Sequence, residues 1–234
     1  MTTVPANFPE PISKRASVPP LRNGDRLTRR EFERRYLAMP GVNKAELIEG
    51  NVYMPSPVRL RGHGKGHAFL IGWLTYYVSK TSGISDIGDN STVRLDEDNE
   101  PQPDVLMLLP ATAGGTSRVD DDGYIVGGPE LACEISYSSV SIDLHQKLNA
   151  YRRNGVREYL VWRTEDDAVD WFVLRDGKYA PLAPTDGTLR STQFPGLWLD
   201  VAALIKGDLP TVFAAVDRGA GTPEHAAFVA SLKR

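Results

Sequence analysis

The chain has 234 residues, of which 41% are hydrophobic and 24% charged, and its net charge is −3. This length allows one large domain or two small ones, and the composition is that of a globular protein with a full core. The acidic balance excludes the broad basic footprint of an ordinary nucleic-acid binder, so any contact with phosphates needs a local basic patch.

Membrane insertion and disulfide bonding find no support in the sequence. No apolar run approaches ~20 residues, and the first ten residues lack the apolar segment of a signal peptide. The single cysteine, Cys133, cannot form an internal disulfide and is expected to be a small core residue. We therefore expect a cytoplasmic protein without a membrane segment.

The first third of the chain predicts an arm, two helices and a hairpin. Residues 1–24 hold five prolines and predict an extended or disordered arm. Capping-box spacing at Thr28 and Glu31 predicts a helix over 28–38. Residues 45–54 predict a β-hairpin, and 63–80 predict a helix with a continuous apolar stripe.

The remainder predicts alternating strands and helices. Strands are expected at 91–95, 104–109, 130–136, 158–163, 168–174 and 178–182, with a loop over 111–128 and helices at 141–154, 200–206 and 223–232. This order indicates one α/β domain with a mixed central β-sheet flanked by helices. We place the domain at 25–207 and a C-terminal helical extension at 208–234.

Two acidic residues lie in predicted buried strands. Asp104 opens the apolar run 104–109, and Glu134 lies inside the run 130–136. A carboxylate is costly to bury unless it is paired, hydrogen-bonded or bound to a metal. If the two met on adjacent strands, they would form an oxygen site suited to Mg²⁺ or Mn²⁺. The alternatives are a solvated strand end for Asp104 and a solvent-facing strand surface for Glu134.

A lysine on the following predicted helix is the third candidate. Lys147 lies four residues from both Asp143 and Tyr151, so these side chains share one helical face. The alternative is a surface ion pair worth less than ~1 kcal/mol. Glu46, at the start of the predicted hairpin, is a possible fourth member of the site.

Other familiar motifs are missing or incomplete. His63 and His67 have the spacing of a zinc pair on a helix, but no third ligand is evident. The glycine-rich segment 62–66 lacks the rest of a P-loop, and neither a nucleophile elbow nor a dinucleotide fingerprint occurs. A hydrolase triad or a dinucleotide-dependent dehydrogenase is therefore unsupported.

The order of these motifs resembles the Uma-two family of the PD-(D/E)XK nuclease superfamily. The resemblance rests on Pro103-Asp104, Glu134-Ile-Ser, Asp143-x-x-x-Lys147-x-x-x-Tyr151 and Gly155-Val-Arg-Glu158-Tyr-Leu-Val-Trp162. The segment Glu46-Leu-Ile-Glu-Gly50 and Met54-Pro-Ser-Pro57 followed by His63 are also similar to it. The likeness runs from about Asp25 to Trp198.

This resemblance implies a restriction-endonuclease-like fold with a divalent metal at the mouth of the sheet. Asp104 and Glu134 would be the metal ligands, with Mg²⁺ or Mn²⁺ as the cofactor. Ser136 stands where the superfamily pattern has a lysine, so Lys147 would supply that group and Glu46 the upstream acid.

Two functions remain open at this point. The first is a metal-dependent endonuclease acting on nucleic acid, expected to be DNA, as a homodimer if it cuts both strands. The second is a catalytically inactive binding or assembly protein that keeps the nuclease fold, which the acidic net charge and Ser136 favour.

Overall fold

The computed structural model describes residues 18–54 and 60–232. Its α-helices are α1 (Arg29–Leu37), α2 (Lys65–Lys80), α3 (Leu148–Arg153), α4 (Val201–Lys206), α5 (Leu209–Ala220) and α6 (Pro223–Leu232). Wider π-helical turns, Leu60–Gly64 and Ile142–Lys147, lead into α2 and α3, and a short 3₁₀ helix covers Ala111–Ala113. Most of the predicted arm, residues 1–17, and residues 55–57 of the Met54-Pro-Ser-Pro57 segment lie outside the described residues.

The strands form one large sheet and three small ones. They are β1 (Glu46–Ile48), β2 (Asn51–Tyr53), β3 (Asp86–Asp89), β4 (Val93–Arg94), β5 (Val105–Leu108), β6 (Arg118–Val119), β7 (Ile125–Val126), β8 (Leu131–Ser136), β9 (Glu158–Arg163), β10 (Ala168–Arg175), β11 (Lys178–Pro181), β12 (Thr188–Arg190) and β13 (Trp198–Asp200). The large sheet has the order β11-β10-β9-β8-β5-β3. Because β8 and β9 are parallel and the other pairs antiparallel, the sheet is mixed, as predicted.

The strand predicted over 91–95 is wrong in extent. Instead of spanning 91–95, β4 covers two residues and pairs with β7, outside the large sheet. One edge strand of the large sheet is β3. It has the sequence Asp-Ile-Gly-Asp and therefore no apolar run from which a strand could be predicted. An edge strand has one neighbour and tolerates exposed charges, which also protect it from pairing with other chains. The predicted loop 111–128 likewise contains the short strands β6 and β7.

Helix α2 packs on one face of the large sheet. Its apolar stripe buries Leu70, Trp73, Leu74 and Tyr77, as the spacing of these residues predicts. The indole of Trp73 meets that of Trp171 on β10 edge to face, with ring centroids 5.7 Å apart. On the opposite face, Tyr151 of α3 packs with Tyr159 of β9, and Leu144 and Leu148 border the same cluster.

The C-terminal helices join the core under α2. Val212 and Val216 of α5 and Leu232 of α6 belong to the same buried cluster as Trp73 and Trp171. Helix α5 was not predicted as a separate helix; its start is fixed by the Asp208 carboxylate, which accepts a hydrogen bond from the Thr211 amide. Among the described helices, none is long and apolar enough to span a membrane.

The N-terminal part forms a smaller cluster that holds the hairpin beside the sheet. Phe32 of α1 packs with Leu47 and Val52 of the β1–β2 hairpin. Two backbone hydrogen bonds join Leu47 to Glu100, just before β5. The hairpin is thereby fixed next to the strand that carries Asp104.

Candidate active site

The two predicted acids lie next to the end of the β5–β8 pairing. Val105 of β5 pairs with Cys133 of β8, and Asp104 and Glu134 are the next residues beyond this pair on the two segments. The Ile135 amide donates a 2.8 Å hydrogen bond to Asp104 Oδ2, which fixes this carboxylate to the neighbouring strand.

All three principal candidates are buried. Asp104, Glu134 and Lys147 are 2%, 3% and 4% exposed, respectively. The solvated strand end, the solvent-facing strand surface and the surface ion pair are therefore excluded as descriptions of these residues.

Lys147 lies at the centre of a cluster of carboxylates. Its Nζ is 2.9 Å from Glu134 Oε1 and 2.9 Å from Glu46 Oε1. Asp143 Oδ1 lies 3.7 Å from the same nitrogen. The π-helical turn that carries Asp143 and Lys147 follows β8 closely and packs back over it, so the lysine reaches the strand from the helix. The structure thus brings together Glu46, Glu134 and Lys147, which are far apart in the sequence.

Further hydrogen bonds hold the carboxylates of this cluster in place. Tyr151 Oη donates to Glu134 Oε1 at 3.0 Å, and the Gln102 amide donates to Glu46 Oε1 at 2.7 Å. Ser139 Oγ donates to Asp143 Oδ2 at 2.5 Å. The arrangement is rigid because each acid is held by a group from a different element.

Burial and charge shift the pKa values of this cluster in a consistent way. Burial lowers the pKa of Lys147, but the surrounding charges of Glu134, Glu46 and Asp143 outweigh it, and the net pKa lies well above its usual value. Burial raises the pKa of Glu134; Lys147 offsets this in part, while the neighbouring acids add to the rise. The three acids around Lys147 therefore favour its charged form.

Asp104 has a separate set of partners. Its Oδ2 lies 3.0 Å from His63 Nε2, and its Oδ1 lies 3.3 Å from Lys44 Nζ. Burial raises the pKa of Asp104, but the hydrogen bond with His63 and the charge of Lys44 outweigh burial, and the net pKa lies well below its usual value. Asp104 is therefore ionised and available as a ligand at neutral pH.

A polar rim surrounds Asp104 on its accessible side. Asn90 Oδ1 accepts a 2.7 Å hydrogen bond from Lys44 Nζ. His67 Nε2 lies 3.0 Å from the Asp104 carbonyl oxygen and 3.0 Å from Asp89 Oδ1. We call Lys44, His63, His67 and Asn90 the rim; each is partly exposed or exposed, in contrast to the buried cluster around Lys147.

Two glycines of the segment 62–66 allow the start of α2 to approach the site. A Cβ at Gly62 would lie 2.8 Å from the Tyr137 ring, and a Cβ at Gly66 would lie 3.1 Å from Ile135 Cγ2. The absence of side chains there brings His63 against Asp104 at the end of β8. This glycine-rich segment thus serves close packing, which explains why it lacks the P-loop pattern.

The donor set suits a hard divalent cation. Four carboxylates face only two lysines within these contacts: Glu46, Asp104, Glu134 and Asp143 against Lys44 and Lys147. Across residues 18–54 and 60–232, no group of three or more His, Cys, Asp or Glu side chains could by itself hold a metal ion. Mg²⁺ is commonly bound by one or two carboxylates, with water and substrate phosphates as its other ligands, so the pair Asp104 and Glu134 fits this ion.

Sequence reasoning missed the rim almost completely. Lys44 and Asn90 lie in segments without strand or helix periodicity, and no local signal marks them. His63 was considered as half of a zinc pair with His67 and as part of the family resemblance, and its contact with Asp104 was not predicted. A glycine-flanked histidine ahead of a strongly amphipathic helix is the one feature that could have indicated it.

Two other buried acids, Glu130 and Glu158, are surrounded by hydrogen-bond donors of nearby loops and strands. Glu130 accepts hydrogen bonds from the amides of Leu109 and Thr116. Glu158 accepts from the Trp171 indole, and the amides and hydroxyls of 191–193 bind the same carboxylate. Each of these acids organises a loop, as a buried carboxylate surrounded by donors can. Glu134 differs because its partners include an ammonium group and other acids.

Comparison with known proteins identifies the family. The model of the family described as "Uma2: Putative restriction endonuclease" matches residues 30–202, most of the chain. The chain belongs to the Uma2 family. The resemblance drawn from Asp104, Glu134 and Lys147 is thereby confirmed.

A solved structure supports the fold of this Uma2 chain. It is titled as a putative nuclease belonging to DUF820 from Anabaena variabilis ATCC 29413. The two chains are 15% identical with a TM-score of 0.57, and the match covers 74% of this chain and 96% of the other. At this identity the likeness establishes the fold alone, which is the predicted restriction-endonuclease-like one. No curated protein matches the chain.

Proposed function

We propose that this Uma2 protein is a metal-dependent endonuclease that hydrolyses phosphodiester bonds of DNA. The observation that carries the proposal is the pair of buried carboxylates next to the end of the β5–β8 pairing: Asp104, and Glu134 in a cluster with three acids and one lysine. A divalent cation would balance such an excess of buried negative charge. Family membership adds to this, since the family is described as "Putative restriction endonuclease".

In this proposal Asp104 and Glu134 hold Mg²⁺ or Mn²⁺. The ion, when bound, supplies a water of lowered pKa and stabilises charge on the phosphoryl group. The Ile135 amide keeps Asp104 oriented, and Lys147 with Tyr151 keeps Glu134 oriented. Glu46, held by the Gln102 backbone amide and Lys147, is the third acid of the proposed site.

The ion pairs of Lys147 narrow the role proposed for it. Its ammonium group contacts two carboxylates, so it is engaged with them and not with a water or a substrate. Its ammonium group instead compensates the charges of Glu46 and Glu134 in a single fixed geometry. We therefore assign it to positioning these acids.

A plasmid-nicking assay tests the proposal. Supercoiled DNA is incubated with the protein in Mg²⁺, in Mn²⁺ and in EDTA, with Glu134→Gln as the test variant. Glu224→Gln is the matched control because Glu224 is exposed on α6, outside the site. We expect metal-dependent nicking that falls by roughly 10²-fold or more in Glu134→Gln and is unchanged in the control.

The same assay separates the two candidate functions. A nuclease-fold binding protein, favoured by the net charge of −3, would leave the plasmid intact in every metal. Nicking that persists in EDTA, or that is equal in Glu134→Gln, would contradict the proposed site. Linear product formed without accumulating nicked circles would support the homodimer, since cutting both strands together requires two sites.

A further inference from the structure

The two lysines of the site differ in their access to a substrate. Lys147 has a side chain that is 5% exposed, whereas the Lys44 side chain is 23% exposed. Lys44 lies between α1 and β1, at the solvent side of Asp104. The sequence motif points to Lys147, but the accessible cation of the site is Lys44.

Lys147 cannot reach a phosphate without breaking its own ion pairs. Its ammonium group lies 2.9 Å from both Glu46 and Glu134, with Asp143 beyond them. A phosphate entering this pocket would meet three carboxylates before the lysine, and like charges repel. The ammonium group of Lys147 is therefore not available to an anionic substrate.

Lys44 is free to make one more contact. Its Nζ is 2.7 Å from Asn90 Oδ1 and 3.3 Å from Asp104 Oδ1. An ammonium group has three donors, and these two acceptors leave one for a ligand. Asn90 is neutral, so it orients the ammonium group without cancelling its charge. Binding of a metal ion by Asp104 would weaken the remaining ion pair and leave the charge of Lys44 for the substrate.

We propose that Lys44, oriented by Asn90, is the residue that contacts the scissile phosphate beside Asp104. The inference rests on the proposed nuclease function and adds a catalytic residue to it. A lysine acts on phosphate as a point charge. At this position it would stabilise the negative charge that grows on the phosphoryl oxygens in the transition state.

The salt dependence of DNA binding measures this contact directly. Binding of a short fluorescein-labelled DNA duplex is followed by anisotropy at several salt concentrations with Mg²⁺, in a Glu134→Gln background that prevents cleavage. Each lost phosphate contact reduces the slope of log K against log salt by about 0.9. We expect Lys44→Met to lose one such contact and Lys44→Arg to keep it.

The matched control is Lys178→Met. Lys178 is exposed at the turn between β10 and β11, on the edge strand opposite β3 and at the end of the sheet away from Glu134. The Lys178→Met substitution removes the same charge as Lys44→Met and should leave the slope of log K against log salt unchanged. In the otherwise native chain, Lys44→Met should also reduce nicking by roughly 10²-fold.

The outcomes distinguish this inference from the proposed function. Equal slopes for Lys44→Met and Lys178→Met would overturn the role of Lys44, even if the native protein nicks DNA. A reduced slope for Lys44→Met with no nicking by the native protein would uphold the phosphate contact and overturn catalysis. No binding of the duplex by the parent protein would overturn both.

Discussion

Replacing Lys147 by methionine is the sharpest test of the buried cluster. Methionine has nearly the length of lysine without its charge, so the variant keeps the packing and leaves Glu46, Glu134 and Asp143 without their cation. Each ion pair at 2.9 Å has a gross attraction of about 6 kcal/mol at an effective dielectric constant of about 20. Desolvation offsets most of this in the intact cluster.

The net loss is expected to be large because the acids cannot move into water. Removing one partner of a buried pair lowers the free energy of unfolding by about 3–5 kcal/mol. For a chain of this size, the melting temperature would fall by about 6–20 °C. Adding Glu134→Gln to Lys147→Met should recover part of the loss, since it removes one uncompensated charge.

Urea denaturation of the two single variants and the double variant measures these differences. The control is Lys80→Met, because Lys80 Nζ is also 2.9 Å from its partner, Asp217, but the two side chains are 40% and 50% exposed. An exposed pair contributes less than ~1 kcal/mol. If Lys147→Met were no more destabilising than Lys80→Met, the reasoning from burial would be refuted.

Two further predictions concern the metal and pH. Asp104→Asn keeps an acceptor for the Ile135 amide but loses the charge, so Mn²⁺ binding measured by titration calorimetry should weaken by roughly 10²-fold or more; unchanged affinity would remove Asp104 from the site. Burial, with the neighbouring Glu33, raises the pKa of Glu100 to about 8 from 4.5 in the unfolded chain. The folded pKa is the higher one, so this contribution to stability is complete below pH 4.5 and disappears as the pH rises to about 8. In the Glu100→Gln variant, the free energy of unfolding should therefore decline less between these two pH values. At pH 9 it should exceed that of the native protein by about 2–5 kcal/mol. Parallel pH profiles of the two proteins in urea denaturation would contradict this assignment.

The sequence predicted the elements whose periodicity is strong. These elements include helix α2, with its apolar stripe, and the strands β5, β8 and β9, with their apolar runs. Their apolar side chains are stable only when they are buried against each other, and the structure has these elements where they were expected. The acids Asp104 and Glu134 were recognisable for the same reason, since a carboxylate in an apolar strand requires a partner. The sequence could also place Lys147 on the helix that follows β8.

Weakly patterned elements were missed because their surroundings, more than their own residues, hold them in place. Strand β3 has two aspartates and a glycine among its four residues, and it is a strand because β5 offers it an edge. Helix α5 has an apolar face that α2 and β13 cover, and only their positions show that it belongs to the core.

What only the tertiary structure decided is the division of the site into two parts. Lys44 and Asp104 are 60 residues apart and meet because the hairpin is fixed beside β5. Burial then decides which contacts the two lysines of the site, Lys147 and Lys44, can make. In the interior, the ammonium group of Lys147 is held by three acids, whereas at the rim Lys44 keeps a donor toward solvent. Residue type and spacing cannot reveal this difference, because it depends on which side chains the fold removes from water.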